Sequence, residues 1–346
     1  MANQAKKIGI LTAGGDCPGI NAAIRGVGKT AITEYGMDVI GFSSGFKGLA
    51  EKQIVQLDSD SLSGILTLGG TILGTSRDKP FKSDPENENK MPKLIKKNYT
   101  ELGLDALVVI GGNGTMKTAA KLQEDGLNIV GIPKTIDNDV FGTDITFGFD
   151  SAVWIATEAI DRLHTTANSH RRIMVIELMG HHAGWIALYS GIAGGGDIIL
   201  IPEIPFDPEI VTKSIEKRIK NEKPYSIVVV AEGIDKPKKM SAGSYIANLI
   251  REKTGFETRE TILGYIQRGG SPSPMDRILA TRYGSHAVEL IANERFGEMV
   301  TLENNIITSR SLYEVGGKLK LVPPDLPLIE KARRMGIGFG DVKIQL

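Results

Sequence analysis

A single cysteine, Cys17, stands in 346 residues, which excludes a disulfide within the chain and any cysteine-cluster metal site. Net charge is missing too. The 41 Lys and Arg are matched by 41 Asp and Glu, so a general coat for nucleic acid or an acidic membrane is disfavoured, leaving only local patches. Aromatics make up 6% and none interleave with the basic stretch, which makes nucleic acid a poor ligand. No apolar run approaches the ~18 residues of a membrane span. Lys6-Lys7 precede only Ile8 to Ala13 before Gly14-Gly15 interrupts, so no secretory signal is read. The expectation is a soluble, cytoplasmic protein with no nucleic-acid and no membrane partner. Two phosphate motifs are also lacking: the Gly-x4-Gly-Lys-Ser/Thr loop and the Gly-x-Gly-x-x-Gly dinucleotide turn.

What is abundant is glycine. Forty-one residues are about 12% of the chain, against a usual share of about 7%. Several stand at or just past the ends of short Val/Ile-rich runs: Gly14-Gly15 follow Ile8 to Ala13, Gly111-Gly112 follow Ala106 to Ile110, Gly180 closely follows Arg172 to Leu178 and Gly233 closely follows Ser226 to Ala231, while Asn128 to Ile132 is a further run of this kind. Helix-length amphipathic stretches separate these runs. Continuous apolar runs suit strands covered on both faces, hence mostly parallel sheets. The fold class read from this is α/β, with two doubly wound lobes; the length also favours two. Trp154 and Trp185 read as core anchors, Lys79 to Lys93 as a polar surface loop, and Leu321 to Leu328 as an extended connector.

Three glycine clusters are expected at strand carboxyl ends in the first lobe: Gly14 to Gly19, Gly69 to Arg77 and Gly111 to Thr115. Glycine there lets backbone N–H groups approach a phosphate, and a following helix offers its positive end. One such turn is weak evidence, since tight turns use glycine on steric grounds alone; three together point to a phosphate or nucleotide. Pro133 to Asp139 adds Lys134, Thr135, Asp137 and Asp139 just past a strand. An Asp-x-Asp loop is often only a turn or cap. The functional alternative is phosphoryl transfer, in which one carboxylate takes a hydroxyl proton and the other helps hold Mg2+. Lys134 beside Asp137 would favour the ionised carboxylate. Arg162, His164, His170, Arg171 and Arg172 form an acid-free basic stretch, with Arg259 and Arg268 near later strand ends. Such a stretch is usually a solvated helix face, yet arginine near glycine turns also suits phosphate oxygens. His181-His182 are adjacent and do not face one way on a helix or strand, so joint metal ligation is disfavoured.

Taken in order, Gly14-Gly15-Asp16 with Pro18 to Asn21, Gly70 to Arg77, Gly111 to Thr115, Pro133 to Asp139, Met179-Gly180, Ala231 to Gly233 and Leu263 to Gly270 resemble the 6-phosphofructokinases. The family includes ATP-dependent and pyrophosphate-dependent enzymes, and the likeness runs from residue 7 to about residue 290. It implies a phosphofructokinase-like pair of lobes, residues 1–148 plus about 267–320 for the phosphoryl donor and 149–266 plus about 321–346 for the sugar phosphate. By this resemblance Asp137 is the base for the 1-hydroxyl of fructose 6-phosphate, with Thr135 and Lys134 beside it. Gly15, Arg77, Gly112, Asn113, Gly114 and Thr115 would hold the donor. Met179, Gly180, His181 and Glu232 would hold the sugar. Arg172 and Arg259 would reach its phosphate region from a neighbouring subunit, completed by Tyr265 and Arg268. Mg2+ is the implied cofactor, near Asp139 and Asn113. The implied assembly is a homotetramer with shared active sites, and the implied pathway is glycolysis.

Four departures from the family pattern stand out, three at single positions and one in the effector site. Asn113 replaces an acid, Tyr265 replaces a histidine of the bacterial ATP enzymes, and His181 stands where arginine is usual. The five basic effector positions of the bacterial enzymes fall on Arg25, Lys29, His164, Asn221 and Lys223, so little effector response is expected. For the donor, Gly114 leaves room for a third phosphate while Lys134 is typical of pyrophosphate users and tolerated with ATP. ATP is the expected donor and pyrophosphate the alternative. The NAD and lipid kinases share a similar glycine turn but not the later segments. A non-catalytic nucleotide-sensing relative is the remaining alternative.

Overall fold

The computed structural model describes residues 6–82 and 90–341. Strands and helices alternate along the chain in the order β1 (Lys7–Thr12), α1 (Ile20–Tyr35), β2 (Asp38–Phe42), α2 (Gly45–Ala50), β3 (Ile54–Gln56), α3 (Lys90–Glu101), β4 (Ala106–Gly111), α4 (Asn113–Glu124), β5 (Ile129–Pro133) and α5 (Phe149–His170). There follow β6 (Ile173–Leu178), α6 (Trp185–Ala193), β7 (Ile198–Leu200), α7 (Pro208–Lys220), β8 (Ser226–Ala231), α8 (Ala242–Thr254), β9 (Thr258–Ile262), α9 (Pro274–Ala292), β10 (Glu298–Glu303), β11 (Ile306–Ser311), α10 (Leu312–Val315) and α11 (Pro327–Arg334). The chain divides into two compact units: Met1–Thr135, Val140–Asp150 and Arg268–Leu319; and Ile136–Asp139, Ser151–Gln267 and Lys320–Leu346. The tetrapeptide 136–139 thus groups with the second unit, whereas the sequence reading kept all of 1–148 in the first.

In the first unit a seven-stranded sheet runs β11-β10-β5-β4-β1-β2-β3. Its centre is parallel, and only the edge strands β3 and β11 pair antiparallel. β4, with sequence ALVVIG, is buried at every position, which is why it shows no polar alternation. β1 lies between β2 and β4, so connections leave it toward both sides of the sheet. Ligands of doubly wound sheets bind at such a reversal, outside the strands' carboxyl ends. Helices α1 and α9 pack backbone to backbone: a Cβ on Gly26 would stand 2.8 Å from the Thr281 carbonyl oxygen. Any larger residue there must push the two helices apart.

The second unit holds a four-stranded, wholly parallel sheet, β7-β8-β6-β9. β6 and β8 are buried throughout, and α7 and α8 cover one face with Val211, Ile215, Ile246 and Ile250. Among the described residues no helix is long and apolar enough to cross a membrane.

Several local expectations are corrected. Trp154 is 63% exposed, not a core anchor, while Trp185 is 7% exposed. The reason is helical phase: Ala152, Ala156 and Ile160 form the buried stripe of α5, and Trp154 is two positions off it. Of the stretch Lys79 to Lys93, residues 83–89 lie outside the described residues, and the last four open α3, with Pro92 buried in its first turn. The connector after Leu321 ends at Leu326, because Pro327 starts α11. The cluster Gly69 to Arg77 follows a single 3-10 turn, Ile65–Thr67, and not a strand.

Candidate active site

In the first unit the end of β1 gathers the other glycine segments. Thr12 Oγ1 donates to the Gly74 carbonyl at 2.6 Å, Gly14 N donates to Ser76 O at 2.9 Å, and Thr75 Oγ1 donates to Gly14 O at 2.7 Å. Asn21, in the first turn of α1 and 1% exposed, fixes the rest of that loop. Its Nδ2 donates to Leu68 O and Gly69 O at 3.1 and 3.2 Å, and its Oδ1 accepts from Ile72 N at 2.8 Å. No sequence signal marked Asn21 as an organiser beyond its place in the first motif. Arg77, at the end of this loop, is exposed.

At the end of β4, Gly112 caps α4 and its carbonyl accepts from Thr115 N and Met116 N at 2.9 and 3.0 Å. The positive end of this twelve-residue helix, with the N–H groups of Asn113 and Gly114 at its first turn, favours negative charge by its dipole. No atom of another part of the chain lies within 4 Å of where a Cβ on Gly114 would stand. Asn113 is turned differently from its expected metal role: its Oδ1 accepts from Gly317 N at 2.8 Å.

Lys134 and Arg268 bring positive charge to this end. Lys134 is 3% exposed, and its Nζ donates to the Gly15 carbonyl. A Cβ on Gly14 would be 3.7 Å from both Lys134 Nζ and Thr115 Oγ1, so these groups surround the first turn. Arg268 Nη1 donates to Asp16 O at 3.2 Å. The sequence reading assigned Arg268 to the sugar phosphate; in the chain its guanidinium lies at the glycine turn of β1. Thr135, 7% exposed, accepts at its carbonyl from Thr146 Oγ1 at 2.8 Å. Cys17, beside the turn, is fully buried and donates weakly to Phe147 O at 3.6 Å. Burial pushes its thiol far above the ordinary range, which makes it inert.

In the second unit, Asp137 and Asp139 are each 8% exposed and flank Asn138, whose φ of 51° is left-handed. Asn tolerates that conformation better than most residues, and it turns the chain between the two acids. At the carboxyl ends of β6 and β8, Glu232 accepts from His181 N at 2.8 Å and Gly180 N at 3.3 Å. These bonds bring Gly180, His181 and Glu232 together, with Met179 next in the chain. The rings of His181 and His182 touch, with centroids 3.8 Å apart, contrary to the expectation that they diverge. His181 has a φ of 53°, so the pair sits in a turn where strand or helix directions do not apply. Tyr265 follows β9 and is 73% exposed.

Arg172 and Arg259 lie elsewhere. They stand at the amino ends of β6 and β9, while Met179 and Glu232 stand at carboxyl ends. From Arg172 to Met179, seven residues at about 3.3 Å each span about 23 Å. Both arginines pair with Glu257 Oε1, at 2.8 and 2.6 Å, a partner the sequence did not flag. The side-chain hydrogen bond from Arg172, followed by the charges of Arg172 and Arg259, holds the Glu257 carboxyl below its ordinary value.

Residues 7–291 match the family described as phosphofructokinase. The chain belongs to the phosphofructokinase family. Over 335 residues, 96% of this chain and 100% of the relative, it is 63% identical to ATP-dependent 6-phosphofructokinase 3 of Bacteroides thetaiotaomicron. It is 56% identical to the ATP-dependent 6-phosphofructokinase of Spirochaeta thermophila, over 97% of this chain and 98% of that one. It is also 47% identical to a pyrophosphate–fructose 6-phosphate 1-phosphotransferase of Amycolatopsis methanolica, over 92% and 97%. Among solved structures, Pichia pastoris phosphofructokinase in the T-state superposes with a TM-score of 0.83 at 34% identity, covering 91% of this chain and 36% of that longer one. The α/β architecture with mostly parallel sheets is thus that of the phosphofructokinases.

Proposed function

We propose that this phosphofructokinase-family chain transfers the terminal phosphoryl group of ATP to the 1-hydroxyl of fructose 6-phosphate, giving fructose 1,6-bisphosphate in cytoplasmic glycolysis. The observation that carries the reading is the convergence of Gly14-Gly15, the α4 N-terminus, Lys134 and Arg268 on one polyanion-binding end. The backbone donors of Gly112, Asn113 and Gly114 and the hydroxyl of Thr115, with Gly15 and Arg77, would hold the donor's phosphates. Lys134 would steady the charge that grows on the migrating group; one such contact is commonly worth on the order of 3 kcal/mol in the transition state. Asp137 would take the proton of the sugar hydroxyl. Thr135 would line the same pocket. The carboxyl-end group Met179, Gly180, His181 and Glu232 would hold the sugar, with Tyr265 near its phosphate.

Mg2+ fits the residues present, because it is usually held by one or two carboxylates together with substrate phosphates. Asp137 and Asp139 supply those carboxylates, 8% exposed, on one tetrapeptide. Asn113 is the weaker candidate, since its oxygen already accepts from Gly317 N. When bound, the ion would neutralise phosphate charge; every proton is moved by the chain's own groups.

Arg172 and Arg259 stand at the opposite ends of their strands from Met179 and Glu232, so within the second unit they do not serve one pocket. Their use on a neighbouring copy's sugar phosphate would reconcile this, and supports a homotetramer with shared sites. The test is an initial-rate comparison of ATP and pyrophosphate at saturating fructose 6-phosphate and Mg2+, with Asp137→Ser alongside. ATP turnover that falls at least ~10²-fold in the variant, with sugar binding kept, is the expected result. Turnover with pyrophosphate alone would reassign the donor; unchanged turnover in the variant would remove Asp137.

A further inference from the structure

The loop bearing Asp137 and Asp139 is held by a residue almost 200 positions away in the sequence. Lys320 donates its backbone N–H to the Asp139 carbonyl at 2.9 Å and its Nζ to Asn138 Oδ1 at 2.9 Å. Its own carbonyl accepts from Trp185 Nε1 at 2.9 Å, and its ammonium stands 5.3 Å from the centre of the Trp185 ring. That distance is within cation–π range. Two residues on, Val322 N donates to Glu203 Oε1 at 2.9 Å, which also accepts from Gly184 N at 2.9 Å, just before Trp185. The segment 320–322 is therefore clamped on the N-terminal turn of α6.

We infer that Lys320 is a positioning residue for the phosphoryl-transfer loop, with Trp185 as its anchor. The bond to Asn138 holds the one left-handed residue between the two acids, so it sets the direction in which both carboxylates leave the backbone. The backbone bond to Asp139 fixes the loop's height. Loss of the side chain leaves the substrate groups of β6 and β8 in place and loosens only the acids. A small displacement of a reacting group is costly for the chemical step and not for ground-state binding. The inference rests on Asp137 being the base.

Steady-state kinetics on the full chain test it, with wild type, Lys320→Met, Lys320→Arg, Asn138→Gly and the Lys320→Met/Asn138→Gly double variant. Gly at 138 keeps the left-handed backbone accessible while removing the acceptor. Lys320→Met is expected to lower kcat about 10-fold or more, with KM for fructose 6-phosphate and donor within about twofold. Lys320→Arg is expected to recover part of that loss. The double variant is expected to be no slower than the slower single, because both remove one interaction. A kcat within twofold of wild type, a loss expressed only in KM, or multiplying effects in the double variant would each overturn the inference. If Lys320→Met does not fold, Trp185→Phe replaces it, keeping the ring and losing the donor to Lys320 O; unchanged kcat there overturns it equally. Wild type that shows no turnover with fructose 6-phosphate refutes the functional reading instead.

Discussion

Arg268 lies against Gly15. Its Nη1 donates to the carbonyl of Asp16 at 3.2 Å, and a Cβ on Gly15 would come within 2.8 Å of that same nitrogen. The colliding atom is the end of a long side chain, so Gly15→Ala displaces the guanidinium and does not unfold the turn. Gly15 has no left-handed φ to lose. With Arg268 displaced from the glycine turn that is proposed to hold the donor, KM for ATP is expected to rise at least about 10-fold, the worth of one charge-assisted hydrogen bond. The melting temperature is expected to stay near wild type. Unchanged donor KM in a folded variant would detach Arg268 from donor binding.

Gly114 is the position proposed to discriminate between the donors, by the space it leaves open. It is exposed on the first turn of α4, and a Cβ there would meet no atom of another part of the chain within 4 Å. A carboxylate placed there adds volume and like charge next to the phosphates while costing the fold little. Gly114→Asp is expected to lower kcat/KM for ATP at least about 10-fold, about 1.4 kcal/mol, while pyrophosphate turnover holds or rises. Initial rates with both donors check it. An equal loss with both donors would mean that position 114 does not discriminate between them.

How much of this was legible in the sequence depends on the range of the interaction. β4, β6 and β8 were readable because strands buried on both faces leave continuous apolar runs. The glycine turns were readable because their chemistry is local. Trp154 was misread: a large aromatic suggests a core, and only the helical phase against Ala152, Ala156 and Ile160 shows otherwise. Glu257 and Lys320 left no signal, since a shared ion-pair partner and a clamp 182 residues from Asn138 depend on tertiary placement. Arg172 stood out in the sequence only as part of a basic stretch, and its position at the amino end of β6 required the topology.

Effector response is expected to be weak, for a reason visible in the side chains. His164, at one of the five effector positions, has both ring nitrogens engaged, Nε2 with Gly194 O at 2.6 Å and Nδ1 with Tyr225 OH at 3.1 Å. Nε2 must carry the proton, since a carbonyl only accepts. Lys29 donates to Ser59 O at 2.9 Å, and Asn221 carries no charge. Groups so committed, or uncharged, offer little to an anion. Initial rates at sub-saturating fructose 6-phosphate, with ADP or phosphoenolpyruvate added, are expected to change less than about twofold. A several-fold change with either would show that the site is intact.

Glu203 gives the clamp under Lys320 a pH dependence of defined sign. Burial pushes its carboxyl above the ordinary value of 4.5, and the N–H donors of Val322 and Gly184 only partly oppose this. The folded chain therefore holds that proton more tightly than the unfolded chain does. The resulting stabilisation is complete below about pH 4.5 and is lost as pH rises through the folded value. Glu203→Gln keeps an oxygen for both backbone donors and cannot ionise, so it lacks this loss. Melting curves of both proteins from about pH 4 to about pH 8 are expected to show the variant gaining on wild type as pH increases. A difference that is flat with pH, or that shrinks, would mean that Glu203 is not a group whose burial opposes its charge.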